Sequence, residues 1–292
     1  MNLNRFILGS VQFGQVYGIS NKRKNRLRKE TIKKIIKKSY SCGIKSIDTA
    51  ISYENDKILG EIGIKNFLVN SKVPFCEYNK EDEIIKFYEK EINRSLTNLK
   101  IKKFHLLMIH YPNQLNNKKG KFIFKALLKL KNKKLFNKIG VSIYDFNQLN
   151  RILQNYKFDT IQLPFNIFDR RLLEKDLIKK LLSKRIEIHV RSIFLQGLLL
   201  MNKDRIDKKF RNWKNIFLKW DEWANKQNLT KLSACINYVM QQKKITKIII
   251  GVNSFREIQE ISEVKKKNIN YPKFKINNKL KLINPINWKY LI

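Results

Sequence analysis

Cysteine, proline and glycine are scarce in this chain of 292 residues, with three, five and ten copies. The cysteines, Cys42, Cys76 and Cys235, are odd in number, widely spaced and without a Cys-x-x-Cys pair, which excludes a disulfide framework and a zinc site. No stretch rich in proline, glycine or serine divides the sequence. We therefore expect a single domain over residues 1–292 and no bound metal.

Long apolar runs are also missing, since no segment is long enough for a signal peptide or a membrane span. Unpaired cysteines suit a reducing compartment. These two observations predict a cytoplasmic protein with no membrane partner.

Acidic residues are few, with 24 Asp and Glu against 62 Lys and Arg, which leaves a net charge of +38. Such a charge suggests binding to nucleic acid or to an anionic membrane surface. However, most of the basic residues are Lys, they are scattered along the chain, and they accompany abundant Asn and Ile, whose codons are equally rich in A and T. A phosphate-binding face concentrates Arg and interleaves aromatic residues. Composition bias is therefore favoured and no nucleic-acid partner is expected, although a positive field also attracts anionic substrates.

The hydrophobic residues, 43% of the sequence, form short apolar runs that alternate with helical spacings. Segments such as Leu106-Leu107-Met108-Ile109 are continuously apolar, as a strand buried on both faces requires in a parallel sheet. Helical spacing follows each of them, and Cys42-Gly43 is a typical helix end. The predicted strands are residues 6–11, 45–48, 67–71, 105–110, 138–142, 160–164, 187–193 and 247–252. The predicted helices are residues 29–41, 55–64, 81–99, 122–131, 146–155, 172–183, 231–241 and 255–266.

Eight strand-then-helix units at even spacing predict an α/β fold, a single (β/α)8 TIM barrel. A doubly wound sheet is the weaker alternative, because it gives no reason for reactive residues to recur after successive strands. Residues 203–226 form a polar insertion that contains tryptophan. We expect residues 268–292, a basic tail with scattered apolar residues, to close over one end of the barrel.

Reactive side chains stand where three predicted strands end, the position at which a parallel barrel builds its active site. These are Asp48, Lys72 and His110, and Tyr53 follows in the loop after Asp48. A phenol is a weak acid at neutral pH, and a neighbouring ammonium group lowers its pKa. Lys72 could act in this way while Asp48 holds it in place, and His110 could orient a substrate carbonyl. The four residues suit carbonyl reduction.

Each of these residues also has a purely structural interpretation, because Asp48 could cap a helix, Tyr53 could be half-buried, and Lys72 is one of many lysines. The other histidines do not add a metal site. His105 and His110 are five residues apart and point to opposite faces of a strand, and His189 lies in mid-strand like a core histidine.

The order and spacing of the four residues resemble those of the aldo-keto reductases along nearly the whole chain. The segments Asp48-Thr49-Ala50, Tyr53-Glu54 and Leu59-Gly60 resemble a motif of that family, with Glu54 where glycine is commoner. The resemblance implies a catalytic tetrad of Asp48, Tyr53, Lys72 and His110. It also implies reduction of a small-molecule aldehyde or ketone, with Tyr53 as the general acid.

The same resemblance implies which residues bind the cofactor. The cofactor-binding candidates are Ser142, Gln162, Arg191, Ser192, Gly197, Gly251, Ser254 and Arg256. Arg191 stands where the family usually has an aromatic residue that stacks on nicotinamide. NADPH is the expected cofactor, because the family leans to NADPH. NADH is the alternative, because a basic residue common in the family is missing at Val252 and Asn253. No Gly-x-Gly-x-x-Gly or Walker motif occurs, which excludes those nucleotide-binding loops.

Segments such as Arg191-Ser192-Ile193-Phe194-Leu195-Gln196-Gly197 look most like a bacterial branch associated with surface-sugar biosynthesis, so a sugar or sugar-nucleotide carbonyl is one substrate hypothesis. We expect a monomer or a small homo-oligomer. The alternatives are a nucleotide-binding barrel that serves as a regulatory subunit and a basic nucleic-acid-binding protein.

Overall fold

Eight parallel strands pair in chain order in the computed structural model, and the last pairs with the first to close a barrel. The structure describes residues 3–19, 21, 25–174, 176–277 and 279–290. The strands are β1 (Phe6–Gly9), β2 (Ser46–Asp48), β3 (Leu68–Val73), β4 (Phe104–Ile109), β5 (Phe136–Ser142), β6 (Thr160–Pro164), β7 (Glu187–Arg191) and β8 (Lys247–Gly251). The prediction of a (β/α)8 TIM barrel is confirmed.

Helices surround this barrel and connect its strands. The α-helices are α1 (Val11–Gly14), α2 (Lys29–Ser41), α3 (Asp56–Ile62), α4 (Glu81–Leu99), α5 (Lys118–Asn132), α6 (Leu149–Asn155), α7 (Leu177–Ser183), α8 (Lys214–Lys226), α9 (Lys231–Met240), α10 (Phe255–Glu263) and α11 (Lys279–Ile283). Short 3-10 helices occupy Ile51–Tyr53, Pro112–Leu115, Phe146–Gln148, Arg171–Leu173, Leu195–Leu200, Lys203–Arg205, Lys208–Trp213 and Pro285–Tyr290. No helix in these described ranges is both long and apolar enough to cross a membrane.

Helix α4 shows how the sequence determines a surrounding helix. Its buried side chains recur three or four residues apart, from Ile84 and Tyr88 to Ile92 and Leu99, so that one apolar face packs inward. Acidic residues fill its first turn and complement the helix dipole. The helix ends where Lys100 adopts a left-handed backbone conformation, with φ of 56°.

Two predicted segments differ most from the structure, and the bounds of several others shift by a few residues, as in the first strand, which ends at Gly9 and not at residue 11. The predicted helix over residues 172–183 is divided, because Asp176 has a left-handed backbone (φ 53°) and α7 begins only at Leu177. The predicted polar insertion contains the regular helix α8, whose Trp220 is fully buried and donates its indole N–H to Leu199 O at 3.0 Å. Its polar residues face solvent, and because they dominate the composition of this segment, the helix was not predicted.

The chain after α10 packs against segments that follow β6 and β7. The Phe274 ring lies 5.3 Å from the Phe168 ring, and the Trp288 ring lies 5.1 Å from that of Phe210. The Trp213 indole donates to Asn277 O at 2.7 Å. Closure of one barrel end by residues 268–292 stays a prediction, and residues 278, 291 and 292 of that tail lie outside the described ranges.

A buried carboxyl between α3 and α4 predicts how stability depends on pH. Burial raises the pKa of Asp56 to about 6, although the Ser95 hydroxyl donates to one carboxylate oxygen. Because unfolded aspartate has a pKa of about 3.9, the folded state binds the proton more tightly. The protein should therefore lose on the order of 2 kcal/mol of stability through this group as pH rises from about 4 to above 6.

The substitution Asp56→Asn should remove this part of the pH dependence, because asparagine does not ionise. Urea unfolding at about pH 4 and about pH 7 measures the difference in free energy of unfolding at each pH. The exposed Asp204 provides the control substitution Asp204→Asn, which should follow the wild type. An unchanged pH dependence in Asp56→Asn would contradict this interpretation.

Candidate active site

The strand register brings the four catalytic candidates to one end of the barrel. Asp48 ends β2 opposite Gly9 of β1 and Asn70 of β3, and Lys72 lies opposite Met108 of β4. His110 follows β4 directly. With Tyr53, which follows β2, these residues line one cavity of about 340 Å³. The parallel register thus places four side chains from three neighbouring strand ends around a common space.

Asp48 and Lys72 form a buried ion pair at the base of this cavity, with side chains 7% and 2% exposed. The Lys72 ammonium donates to Asp48 Oδ2 and to Thr49 O, the latter at 2.8 Å. Gln162 Nε2 donates to the other carboxylate oxygen of Asp48 at 2.7 Å. Burial lowers the pKa of Lys72, and the Asp48 charge opposes that change. Asp48 therefore positions the ammonium group and favours its charged form.

Tyr53 faces both His110 and Lys72. Its ring centroid lies 5.9 Å from that of His110 and 5.3 Å from Lys72 Nζ. The expectation that Lys72 lowers the pKa of this phenol was wrong, because burial, followed by the Asp48 charge, raises the pKa of Tyr53 above its ordinary value. The Lys72 charge is already balanced by Asp48. Tyr53 is therefore a protonated phenol at neutral pH, as a proton donor must be.

His110 is a neutral imidazole. Burial, followed by the charges of Lys72 and Arg191, lowers its pKa to about 3. Its Nδ1 is buried and has no hydrogen-bond partner among the described residues. A neutral imidazole carries one N–H, which could donate a hydrogen bond to a ligand without adding charge to the site.

The backbone around Tyr53 is positioned by a close contact with α1. A Cβ atom at Gly14 would lie 1.9 Å from Tyr53 O, so α1 can approach this loop only with glycine at that position. Glu54 then adopts a left-handed backbone with φ of 56°, which explains why the resembling family favours glycine there. Its carboxylate pairs with Arg26 at 3.0 Å, on the surface.

Most of the cofactor-binding candidates line the same cavity, namely Ser142, Gln162, Arg191, Ser192, Gly197 and Gly251. Ser142, the last residue of β5, is the register partner of Gln162 in the middle of β6. Gln162 Oε1 is buried without a partner among the described residues. Since a buried amide oxygen without a hydrogen bond is costly, this atom is suited to accept an N–H from a bound molecule.

Ser254 and Arg256 do not reach this cavity. Ser254 caps α10, where its hydroxyl accepts the N–H of Glu257 at 3.1 Å. It lines a separate pocket of about 390 Å³ together with Arg26 and Arg28. Arg256 is 88% exposed and pairs with Glu260 one turn along the helix, so it points to solvent.

Arg191 extends from the end of β7 toward the end of β5. Its guanidinium carbon lies 3.7 Å from the centroid of the Tyr144 ring, a stacking contact. Its Nη2 donates to Ile143 O at 3.1 Å and its Nη1 to Ser192 Oγ at 3.4 Å. The position expected to stack on nicotinamide is thus occupied by a cation that stacks on a tyrosine.

Several residues of the cavity wall were not predicted from the sequence, including Gln12, Tyr17, Tyr144, Gln196 and Glu257. Tyr17 follows β1 at a distance and approaches the site because Ile19 N donates to Gln196 O, beyond β7, at 3.1 Å. Glu257 lies on α10, after β8, and nothing in the local sequence indicates its place in the cavity wall. No cluster of three metal-ligating side chains occurs in the described part of the chain.

The sequence of this chain matches the model of a known protein family. The aldo/keto reductase family model matches residues 5–280. The chain belongs to that family. Carbonyl oxidoreduction is the chemistry of aldo/keto reductases, so the chain is assigned to the oxidoreductases. A search of curated proteins finds no match.

Solved aldo/keto reductases have the same fold at low sequence identity. Glycerol dehydrogenase AKR11B4 from Gluconobacter oxydans is 20% identical with a TM-score of 0.69, and the match covers 99% of this chain and 93% of that one. Aldo-keto reductase AKR11C1 from Bacillus halodurans is 15% identical with a TM-score of 0.70 over 90% and 88% of the two chains. At these identities the comparison supports the barrel fold alone.

Proposed function

We propose that this chain is an NAD(P)H-dependent enzyme that reduces an aldehyde or ketone to an alcohol in the cytoplasm. The observation that carries the proposal is that Tyr53, His110 and the Asp48–Lys72 pair line one cavity with Ser142 and Gln162. Carbonyl reduction requires of a protein a general acid, a donor that orients the carbonyl and a charge that stabilises the acid after it has lost its proton, and these residues supply all three. Among aldo/keto reductases, this combination suits a catalytic member.

The residues present fit a nicotinamide cofactor. The unpartnered Gln162 Oε1 suits the N–H of a carboxamide, with Ser142 beside it. Ser192 and Gly197 belong to a loop in which Ser192, Leu195, Gln196 and Gly197 have positive φ, a conformation that turns backbone groups toward a ligand. Gly251 also lines the cavity, where a Cβ atom would lie 2.0 Å from Gln12 Nε2. When bound, the cofactor would supply the hydride.

Tyr53 supplies the proton. As the carbonyl carbon gains hydride, the electron pair of the C=O bond moves to oxygen, and Tyr53 donates its proton to that oxygen, leaving a phenolate. The Lys72 ammonium, 5.3 Å from the ring centroid, stabilises the phenolate. His110 donates its N–H to the carbonyl oxygen and fixes the direction of attack. Asp48 keeps Lys72 in position.

NADPH is the proposed cofactor and NADH the alternative. Arg26 and Arg28 flank Ser254 in the neighbouring pocket and could favour an added phosphate, whereas Arg256 is directed to solvent. Glu257 lines the main cavity and would disfavour one nearby. A sugar or sugar-nucleotide carbonyl remains the substrate hypothesis, and a monomer or small homo-oligomer the assembly hypothesis.

The test is oxidation of NADPH and NADH by the purified full chain with aldehydes, ketoses and nucleotide-linked keto sugars, followed by loss of absorbance from the reduced cofactor. We expect turnover with at least one class of carbonyl and tighter binding of NADPH than of NADH. Cofactor binding without turnover of any substrate would instead support a regulatory subunit. Absence of both would contradict the proposal.

A further inference from the structure

Among the described residues that line the cavity, one cation has no carboxylate partner. The charged side chains of this described lining are Asp48, Lys72, Arg191 and Glu257. Asp48 and Lys72 neutralise each other. Glu257 is on α10, where its carboxylate accepts the N–H of Asn253 at 2.7 Å. Within the described ranges, no carboxylate lies within ion-pair distance of Arg191, whose polar contacts are to Ile143 O and Ser192 Oγ.

The protein holds this cation in place and leaves hydrogen-bonding capacity unused. A guanidinium group has five N–H donors, and two of them are used by Ile143 and Ser192. One face of the group lies on the Tyr144 ring. The remaining N–H groups form a planar fork that matches a carboxylate or a phosphate. Because the side chain is already ordered, a ligand would not have to order it.

Arg191 is also near the reacting groups. Its side chain crosses from the end of β7 to the Ile143 carbonyl beyond β5, and it lines the same cavity as Tyr53 and His110. Its charge contributes to lowering the pKa of His110. When the carbonyl oxygen of a substrate contacts Tyr53 and His110, the rest of that substrate therefore lies near the Arg191 guanidinium.

We propose that Arg191, stacked on Tyr144, binds an anionic group of the substrate, so that this enzyme acts on carbonyl compounds that carry a carboxylate or a phosphate. The inference rests on the proposed reductase function and specifies its substrate class. Tyr17 lines this cavity with Tyr144 and Arg191, and its phenol could donate a further hydrogen bond to the same anion.

The alternative is that Arg191 binds the cofactor, as its position in the family motif implies. Two of its three contacts, the Tyr144 ring and Ile143 O, lie at the β5 end and favour the substrate, whereas the third is to Ser192 Oγ, a cofactor-binding candidate. A cofactor role and a substrate role predict different measurements. A cofactor role changes the Kd for NADPH, and a substrate role changes the preference between charged and neutral substrates.

The experiment uses two pairs of aldehydes that differ by an anionic group: succinic semialdehyde against butanal, and glycolaldehyde phosphate against glycolaldehyde. For each protein, kcat/KM is measured for both members of a pair, and Kd for NADPH by fluorescence. The proteins are the wild type, Arg191→Met and Arg191→Lys. Arg151→Met is the control, because Arg151 is an exposed residue of α6 outside the cavity.

In the wild type we expect the anionic member of at least one pair to be preferred. In Arg191→Met the ratio of anionic to neutral kcat/KM should fall by about 10-fold to 100-fold, the effect of losing a charge-assisted hydrogen bond. Arg191→Lys should lose about 3-fold to 10-fold, since lysine keeps the charge without the planar fork. Arg151→Met should change the ratio less than about twofold, which separates Arg191 from the scattered positive charge.

The two pairs identify the anion, because a carboxylate site responds in the first pair and a phosphate site in the second. An equal wild-type preference within both pairs would overturn the inference, as would an unchanged ratio in Arg191→Met. A rise in Kd for NADPH alone would assign Arg191 to the cofactor and overturn it as well. If Arg191→Met does not fold, the ratio in Arg191→Lys decides. If the wild type reduces none of the four aldehydes but oxidises NADPH with a neutral ketose or keto sugar, the inference is overturned while the proposed function stands.

Discussion

Replacing Tyr53 with phenylalanine should lower kcat by about 10²-fold to 10⁴-fold, the usual contribution of a general acid. The substitution removes only the hydroxyl, and the ring can keep its edge contact with His110, 5.9 Å between centroids. The Kd for NADPH should therefore change by less than about threefold, which corresponds to less than about 0.7 kcal/mol. The measurement is the steady-state rate of reduction of a carbonyl compound that the wild type reduces, together with fluorescence titration of NADPH.

The control for this variant is Tyr40→Phe, a half-buried tyrosine of α2 that lies outside the cavity. It should have wild-type kcat. Unchanged turnover in Tyr53→Phe would remove Tyr53 from the mechanism, whereas a large rise in Kd for NADPH would indicate a binding role instead.

The pH dependence of kcat/KM adds a second measurement for the same mechanism. His110 should be neutral at all pH values well above its pKa of about 3, and Tyr53 should stay protonated because its pKa is raised. Neither group titrates between about pH 5 and about pH 9, so the wild-type profile should have no inflection near the ordinary histidine pKa of about 6.5. An inflection there would contradict the neutral imidazole.

The barrel and the tetrad positions could be predicted because both depend on strands. Short apolar runs such as Leu106-Leu107-Met108-Ile109 indicate strands that are buried on both faces, and parallel strands place their carboxyl ends at one edge. Asp48, Lys72 and His110 therefore converge whatever the intervening loops do. Ser142 and Gln162, which are paired between β5 and β6, were instead predicted from the family resemblance.

The loops could not be predicted, because their approach depends on contacts between distant segments. Tyr17 reaches the cavity through a hydrogen bond between Ile19 and Gln196, and nothing in either local sequence indicates that contact. Ser254 is a cofactor-binding candidate, but its hydroxyl caps α10 and it lines a pocket separate from the main cavity. The pKa of Tyr53 also could not be predicted, because burial outweighs nearby charge and burial depends on the whole fold.

Substituting one member of the Asp48–Lys72 pair should have the second large effect, on both stability and activity. In Asp48→Asn, Lys72 keeps a buried position without its counter-charge. Breaking a buried pair in this way costs about 3–5 kcal/mol of the free energy of unfolding. Lys72→Met should cost a similar amount, because Asp48 then keeps only the Gln162 hydrogen bond. Urea unfolding at neutral pH measures both.

The double substitution Asp48→Asn with Lys72→Met separates stability from catalysis. Removing both charges should recover part of the stability. The sum of the two single losses in free energy of unfolding should therefore exceed the loss in the double variant by more than about 1 kcal/mol. The exposed pair Lys133–Glu89 is the control, and Glu89→Gln should cost less than about 1 kcal/mol. Activity should not recover, because stabilisation of the Tyr53 phenolate requires the Lys72 ammonium. Recovery of activity along with stability would mean that the pair serves only the fold, whereas additive losses would mean that the two charges do not stabilise each other.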